Sequence, residues 1–271
     1  MNIEKIQLMA ERMRRNILDI CYSCNSSAHL GGGLSIVDIT ATLYGAVLKY
    51  DKDNPEWEGR DRFILSKGHG VLGFYSALME AGIISEACFN TFQINDSDLI
   101  AHPVMNIPLG IESSNGSLGQ GLSMGVGLAI AAKKKNVQYK VYVLLGNGEC
   151  NEGAVWEAAM SAAHFKLDNL IAIVDNNAYQ SDGMSEAVMN CDDFASKWES
   201  FGWNVCSVDG HNILELYNSL VEHHVENKPK ALIARTIKGK GITFMENNND
   251  WHHNRLTKKH YDQAILAMGA N

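Results

Sequence analysis

The sequence predicts an α/β fold, a mostly parallel sheet with helices on both faces. Three observations carry this. Runs at 140–145 and 170–174 are continuously apolar, as strands covered on both faces are, and 203–208 and 231–236 are two further strand candidates. Helical patterns at 152–164 and 213–226 lie between them, and strand–helix–strand at this spacing needs a crossover between parallel strands. The first two runs stop in polar punctuation, Gly146-Asn147-Gly148 and Asp175-Asn176-Asn177, at the carboxyl ends where open parallel sheets bind ligands.

The other elements follow in order. Residues 3–25 place Ile6, Met9, Met13, Ile17, Ile20 and Cys24 at helical spacing and predict an amphipathic helix. A Gly-rich turn follows, His29-Leu30-Gly31-Gly32-Gly33, then a helix over 35–48 with Ser35 as its N-cap. Residues 61–65 form a short strand ending in Ser66-Lys67-Gly68-His69-Gly70, and a helix continues to Met79. The stretch 90–115 is irregular and polar. Gly116-Ser117-Leu118-Gly119-Gln120-Gly121 opens a small-residue helix whose Lys133-Lys134-Lys135 end is a solvated run near the negative pole. No repeat, low-complexity tract or linker divides the chain, so residues 1–271 read as one domain.

Composition narrows the function classes. Of 271 residues, 46% are hydrophobic and 20% charged, the balance of a globular chain with a sizeable core. Twenty-three Lys and Arg against 31 Asp and Glu give a net charge of -8, which argues against a nucleic-acid partner. No apolar run reaches the roughly 18 residues of a membrane span. Lys5, Arg12, Arg14 and Arg15 interrupt any signal-peptide core, so no membrane is expected. Six scattered cysteines point to a reducing cytoplasm. Cys21 and Cys24 form a CxxC without a second pair and read as one face of a packed helix.

Asn147 and Asn177 close successive strands thirty residues apart. Adjacent loops would bring their amide oxygens together, a fair site for a hard cation. Gly148 lets the backbone approach a phosphate at the start of the next helix. Gly and Asn are also ordinary loop residues, and it is their recurrence on successive strands that points to a site.

Gly146-Asn147-Gly148, Glu152-Gly153, Trp156-Glu157-Ala158, Asn169-Leu170 and Asp175-Asn176-Asn177 together resemble the thiamine-diphosphate motif of transketolases. Ser66-Lys67-Gly68-His69, residues 38–44 and 116–121, Lys238-Gly239-Lys240-Gly241 and residues 245–252 match in family order, so the resemblance spans almost the whole chain. It implies the diphosphate-binding domain alone, with the pyrimidine-binding and C-terminal domains on a separate chain: the N-terminal subunit of a split transketolase, assembled as an α2β2 heterotetramer. The implied reaction moves a two-carbon ketol unit from a ketose, in phosphorylated form, to an aldose, using thiamine diphosphate and Mg2+, with Ca2+ or Mn2+ as alternative ions. The cofactor performs the difficult step while the protein orients groups and moves protons.

Carried over by position, the resemblance makes Asn147 and Asn177 side-chain metal ligands and Tyr179 a ligand through its carbonyl. Gly148 gives its amide to a phosphate oxygen, Gln180 touches the thiazolium region, Gly116 and Leu118 line the far side, and Lys238 places a cation beside the pocket. His29, His69, His102 and His252 become the active-site histidines, a residue type suited to donating and accepting protons near neutrality. Glu152 becomes part of an acidic network joining paired sites, against its plainer reading as a charge favouring a helix N-terminus. His164, His211, His223, His224 and His260 read as surface or satisfied core residues.

Two departures stand out. Asparagine at 147 replaces the family's usual aspartate, keeping an oxygen ligand but removing a charge, and His253 stands where the family usually has glycine. The carboxylate that activates the aminopyrimidine belongs to the missing half. Two alternatives keep the cofactor but change the reaction, a decarboxylating synthase and a 2-oxo acid dehydrogenase component. A third is an inactive scaffold partner, against which the retained His29, His69 and His102 weigh.

Overall fold

The computed structural model describes residues 2–191, 193–222 and 224–269; His223, read above as structural, lies outside them. Five strands form one sheet: β1 (Arg62–Leu65), β2 (Val141–Gly146), β3 (Leu170–Asn176), β4 (Asn204–Asp209) and β5 (Lys230–Arg235). Their spatial order is β1-β2-β3-β5-β4, and every pairing is parallel. A separate two-stranded antiparallel ladder joins Ser27–Ala28 to Asn254–Arg255, a long-range pairing too short to leave a sequence pattern.

The absence of alternation in the strands has a direct cause. Along β2, Val141, Val143 and Leu145 pack into one core while Tyr142 and Leu144 pack into the other, and all five are buried. One face is covered by α1 (Ile3–Ser23), α3 (Val37–Thr42), α4 (Val71–Glu80) and α8 (Ile213–Val221). The other is covered by α5 (Gln120–Lys135), α6 (Gly153–His164) and α7 (Phe194–Ser200). Burying a Leu, Ile or Val side chain contributes about 1.5–3 kcal/mol, so the central strands β2 and β3, covered on both faces, are apolar up to their carboxyl ends, while the edge strand β4 carries Asn204, Ser207 and Asp209.

The N-terminal helix forms as its stripe predicts. Asn2 caps it by accepting from the Lys5 amide at 3.1 Å, and Ile6, Met9, Met13, Ile17, Ile20 and Cys21 are buried along one face. Cys24 donates to the Cys21 carbonyl at 3.5 Å, so the CxxC packs as expected.

Residues 29–48 depart from expectation. The Gly-rich turn is a short helix, α2 (Leu30–Leu34), and Ser35 is not the N-cap of the next helix, which begins after Ile36. Ser35 instead turns its hydroxyl to Asp175 at 2.8 Å, so a partner on β3 overrides the local capping preference. Against the expectation that no stretch reaches a membrane span, residues 30–47 do so by length and mean hydropathy, but 83% of them are buried inside this fold, and they are divided among α2, α3 and a π-helical turn.

Candidate active site

The five strands of the parallel sheet point their carboxyl ends to one edge, so the residues that follow them meet there. After β1 come Ser66, Lys67 and His69; after β2, Asn147 and Gly148; after β3, Asn177, Tyr179 and Gln180; after β5, Lys238. A cleft of about 510 Å³ opens at this edge, a size that suits a cofactor. It brings together every residue singled out from sequence: His29, His69, His102, Gly116, Leu118, Asn147, Gly148, Glu152, Asn177, Tyr179, Gln180, Lys238 and His252.

Four imidazoles line one wall. The His29 ring lies 5.4 Å from that of His69, 5.7 Å from His102 and 5.5 Å from His252, and His69 and His252 are 5.5 Å apart. His253 adds a fifth ring 4.5 Å from His29. Burial, aided by the other imidazoles and by Lys67, lowers His29 to a pKa of about 3. Burial and then the Lys238 charge lower His252 to about 4. Burial also pulls His69 well below its ordinary value, and burial with His253 lowers His102. At neutral pH these rings are uncharged, able to donate a hydrogen bond from one nitrogen and accept at the other.

Neutral oxygen donors line the same cleft. The Asn147 carboxamide satisfies its neighbours in one orientation, with Oδ1 accepting from Ser185 Oγ at 2.6 Å. Its Nδ2 then donates to the carbonyls of Asp175 at 3.2 Å and Tyr179 at 3.3 Å. Asn177 Oδ1 accepts from the Tyr179 amide at 3.0 Å, while its Nδ2 donates to Asp175 at 3.0 Å. Turning the Asn147 carboxamide over would put its oxygen where Nδ2 now meets the Tyr179 carbonyl, and with Asn177 lining the same cleft these neutral oxygens form a donor set that suits a hard divalent cation. Among the described residues no group of three His, Cys, Asp or Glu is placed to hold an ion. A Cβ on Gly148 would lie 2.8 Å from Gln180 Cγ and would push the Gln180 side chain out of its place in the cleft.

The floor holds charges that the sequence reading did not assign. Lys67 donates to Asp175 at 2.5 Å and to the Gly32 carbonyl at 3.0 Å, and both partners of the ion pair are essentially inaccessible. Burial alone would push the Asp175 carboxyl up. Lys67, together with hydrogen bonds from Thr236 and Ser35, overrides burial and holds it below the usual range. Glu149 accepts from Ser66 Oγ and from the amides of Gly119 at 2.8 Å and Gly146 at 3.0 Å, clamping the loops around the cleft. The sequence signal was available: charged residues directly after buried apolar strands must have partners.

Glu152 lines the cleft as an exposed residue ahead of α6 and makes no side-chain capping bond. His211 is a satisfied core residue, as read: its Nε2 accepts from the Ile237 amide at 2.8 Å and its Nδ1 faces Asp38 at 2.7 Å. His260 packs on Phe244 and Trp251, and His164 and His224 are exposed. Lys133 and Lys135 pair with Asp168 and Glu58 on the surface.

Residues 6–271 match the family model described as transketolase, thiamine diphosphate binding domain. The chain is 39% identical over 271 residues to an apulose-4-phosphate transketolase subunit of Phocaeicola vulgatus, covering 99% of this chain and 95% of the relative. It is 43% identical over 271 residues to the apulose-4-phosphate transketolase subunit of the same designation in Actinobacillus succinogenes, covering 99% and 96%. A 6-deoxy-6-sulfo-D-fructose transketolase subunit of Clostridium sp. is 39% identical over 241 residues, 89% of this chain and 88% of the relative. Among solved structures, transketolase from Campylobacter jejuni superposes with a TM-score of 0.91 at 31% identity. The match takes in 99% of this chain and 43% of that one. Transketolase from Leishmania mexicana gives 0.90 at 29% identity over 97% of this chain and 41% of that one. The chain belongs to the transketolase thiamine diphosphate-binding domain family, as an N-terminal subunit for thiamine-diphosphate-dependent transfer of a two-carbon ketol unit.

Proposed function

We propose that residues 1–271 act as one diphosphate-binding domain whose cleft holds thiamine diphosphate through a magnesium ion on Asn147, Asn177 and the Tyr179 carbonyl. Gly148 meets the diphosphate with its amide, Gln180, Gly116 and Leu118 flank the cofactor, and Lys238 stands beside it. When bound, the cofactor supplies the electron sink for cleaving the C–C bond beside a ketose carbonyl. His29, His69, His102 and His252 bond to the hydroxyls of donor and acceptor, and histidines among them move the protons. Glu152 links paired sites. One observation supports this most: neutral oxygen donors and uncharged imidazoles line a single cleft at the strand ends.

A pyrimidine-binding partner subunit completes the site in an α2β2 assembly in the cytoplasm, a compartment that suits a chain without disulfides. The relatives' names carry ketoses with a terminal anion, apulose-4-phosphate and 6-deoxy-6-sulfo-D-fructose. A phosphorylated ketose is accordingly the proposed donor. Mixing the purified chain with a ketose phosphate, an aldose, thiamine diphosphate and magnesium should give no steady transfer until the partner is added. Sustained turnover by the unaccompanied chain would remove the two-chain reading.

Asn147→Asp tests the metal corner. A carboxylate oxygen within about 2–2.6 Å of a divalent ion attracts it directly, and this outweighs repulsion from a diphosphate screened by the same ion. In the absence of the ion, that oxygen would face the Asp175 and Tyr179 carbonyls to which Asn147 now donates. Cofactor affinity should therefore rise more steeply with magnesium in the variant and end about 5- to 30-fold tighter, about 1–2 kcal/mol. Cofactor titrations at several magnesium concentrations, with the partner present, measure this. Affinity no better than the parent's at every concentration would mean Asn147 is not a ligand.

A further inference from the structure

Lys238 is 2% exposed, and its ammonium faces three protein acceptors. It lies 3.1 Å from the Gln180 carbonyl, 2.5 Å from Asn249 Oδ1 and 2.9 Å from His252 Nδ1. The Asn249 oxygen is fixed as an acceptor because its Nδ2 donates to the Ser181 carbonyl at 2.8 Å. An ammonium has three hydrogens and no lone pair, so the three acceptors use all of it. The nitrogen of His252 that faces it must carry the ring's lone pair, which leaves the ring hydrogen on Nε2. Burial and then the Lys67 charge lower Lys238 to a pKa of about 8, so the ammonium form prevails at pH 7.

We propose that Lys238 is a positioning residue: it orients His252 and holds it in the Nε2–H form, making that histidine an obligate hydrogen-bond donor in the cleft. Asn249 belongs to the device, since it ties Lys238 to the segment that carries Gln180 and Ser181. With no hydrogen to spare, Lys238 gives none to a bound ligand. Among the described residues no hydrogen bond holds the rings of His29, His69 or His102, so a substrate sets which of their nitrogens donates. Proton acceptance then falls to those three, while His252 polarises an oxygen and takes no proton. The catalytic consequence rests on the ketol-transfer reading of the cleft, whereas the tautomer does not.

The test uses the full chain labelled with 15N-histidine at pH 7. Proton–nitrogen correlation spectra are assigned with a His252→Gln variant. The expected pattern is a pyrrole-type Nε2 and a pyridine-type Nδ1 displaced from the free value by the ammonium bond. In Lys238→Met the Nδ1 signal should move, either to the free pyridine value or to the averaged values of mixed tautomers. A parent Nδ1–H pattern, which needs no Lys238 variant to observe, overturns the proposal, and so does a His252 spectrum unchanged by Lys238→Met.

In the enzyme reconstituted with its partner, Lys238→Met should lower kcat by about 10- to 100-fold, as for a mispositioned hydrogen-bond donor. Its Kd for thiamine diphosphate should change less than about threefold. Weakened cofactor affinity with unchanged kcat would make Lys238 a cofactor ligand and overturn the positioning role. Absence of ketol transfer by the parent reconstituted enzyme would remove the functional reading and leave the tautomer result standing.

Discussion

Asp175→Asn should lower the unfolding free energy of the chain in urea by about 3–5 kcal/mol, the cost of leaving a buried charge without its partner. The charge is the Lys67 ammonium, which is 1% exposed and whose other bond among the described residues is to the Gly32 carbonyl. Asp175 also gathers Ser35, Thr236 and Asn177, so this carboxylate ties α2, β1, β3 and β5 together under the cleft. The double variant Lys67→Met/Asp175→Asn should recover most of the loss, because no charge is then left buried alone. Because the folded pKa of Asp175 is lowered, its contribution is whole above the ordinary carboxylate range. It is lost as pH falls through the folded value. A single variant within about 1 kcal/mol of the parent, well short of the cost of an orphaned buried charge, would show that the pair does not hold the floor.

Replacing His69 or His102 by Ala should reduce turnover of the reconstituted enzyme by about 10- to 1000-fold, the range for lost positioning and general acid–base groups. Stability should hardly follow. Among the described residues neither ring is held by a hydrogen bond, so truncation strands no polar partner, and Tm should move by no more than about 2–4 °C, equivalent to about 1 kcal/mol. A Cβ on Gly32 would lie 3.1 Å from His69 Cδ2, so the backbone closes one side of that ring and leaves the other to the cleft. Full turnover in both variants would make the two histidines structural.

The sheet was legible because a strand buried on both faces has no freedom to be polar. The apolar runs at 140–145 and 170–174 became Val141–Gly146 and Leu170–Asn176 for that reason. What failed was local. Gly31-Gly32-Gly33 looked like a turn, yet none of the three has a positive φ. They are glycine because a Cβ would lie 3.0 Å from Lys238 Cγ at Gly31, 3.1 Å from His69 Cδ2 at Gly32, and 2.8 Å from Leu72 Cβ at Gly33. Packing at the floor of the cleft thus outweighs the helix penalty of about 1 kcal/mol per glycine. Ser35 misled for the same kind of reason, since its partner Asp175 is 140 residues away. Asn147, Gly148 and Asn177 were readable as types at strand ends, whereas the histidines and the other residues lining the cleft came from the family resemblance. Those beneath it, Lys67, Asp175 and Glu149, were not assigned, because their partners come from distant loops that only the folded chain brings together.

The most direct measurement gives the reconstituted two-chain enzyme thiamine diphosphate, magnesium, an aldose acceptor and either a ketose phosphate or pyruvate, and follows the products by mass spectrometry. The expected result is an acceptor lengthened by an intact two-carbon ketol unit from the ketose and no product from pyruvate. Release of carbon dioxide from pyruvate with transfer of the remainder, and no lengthening from any ketose, would contradict it.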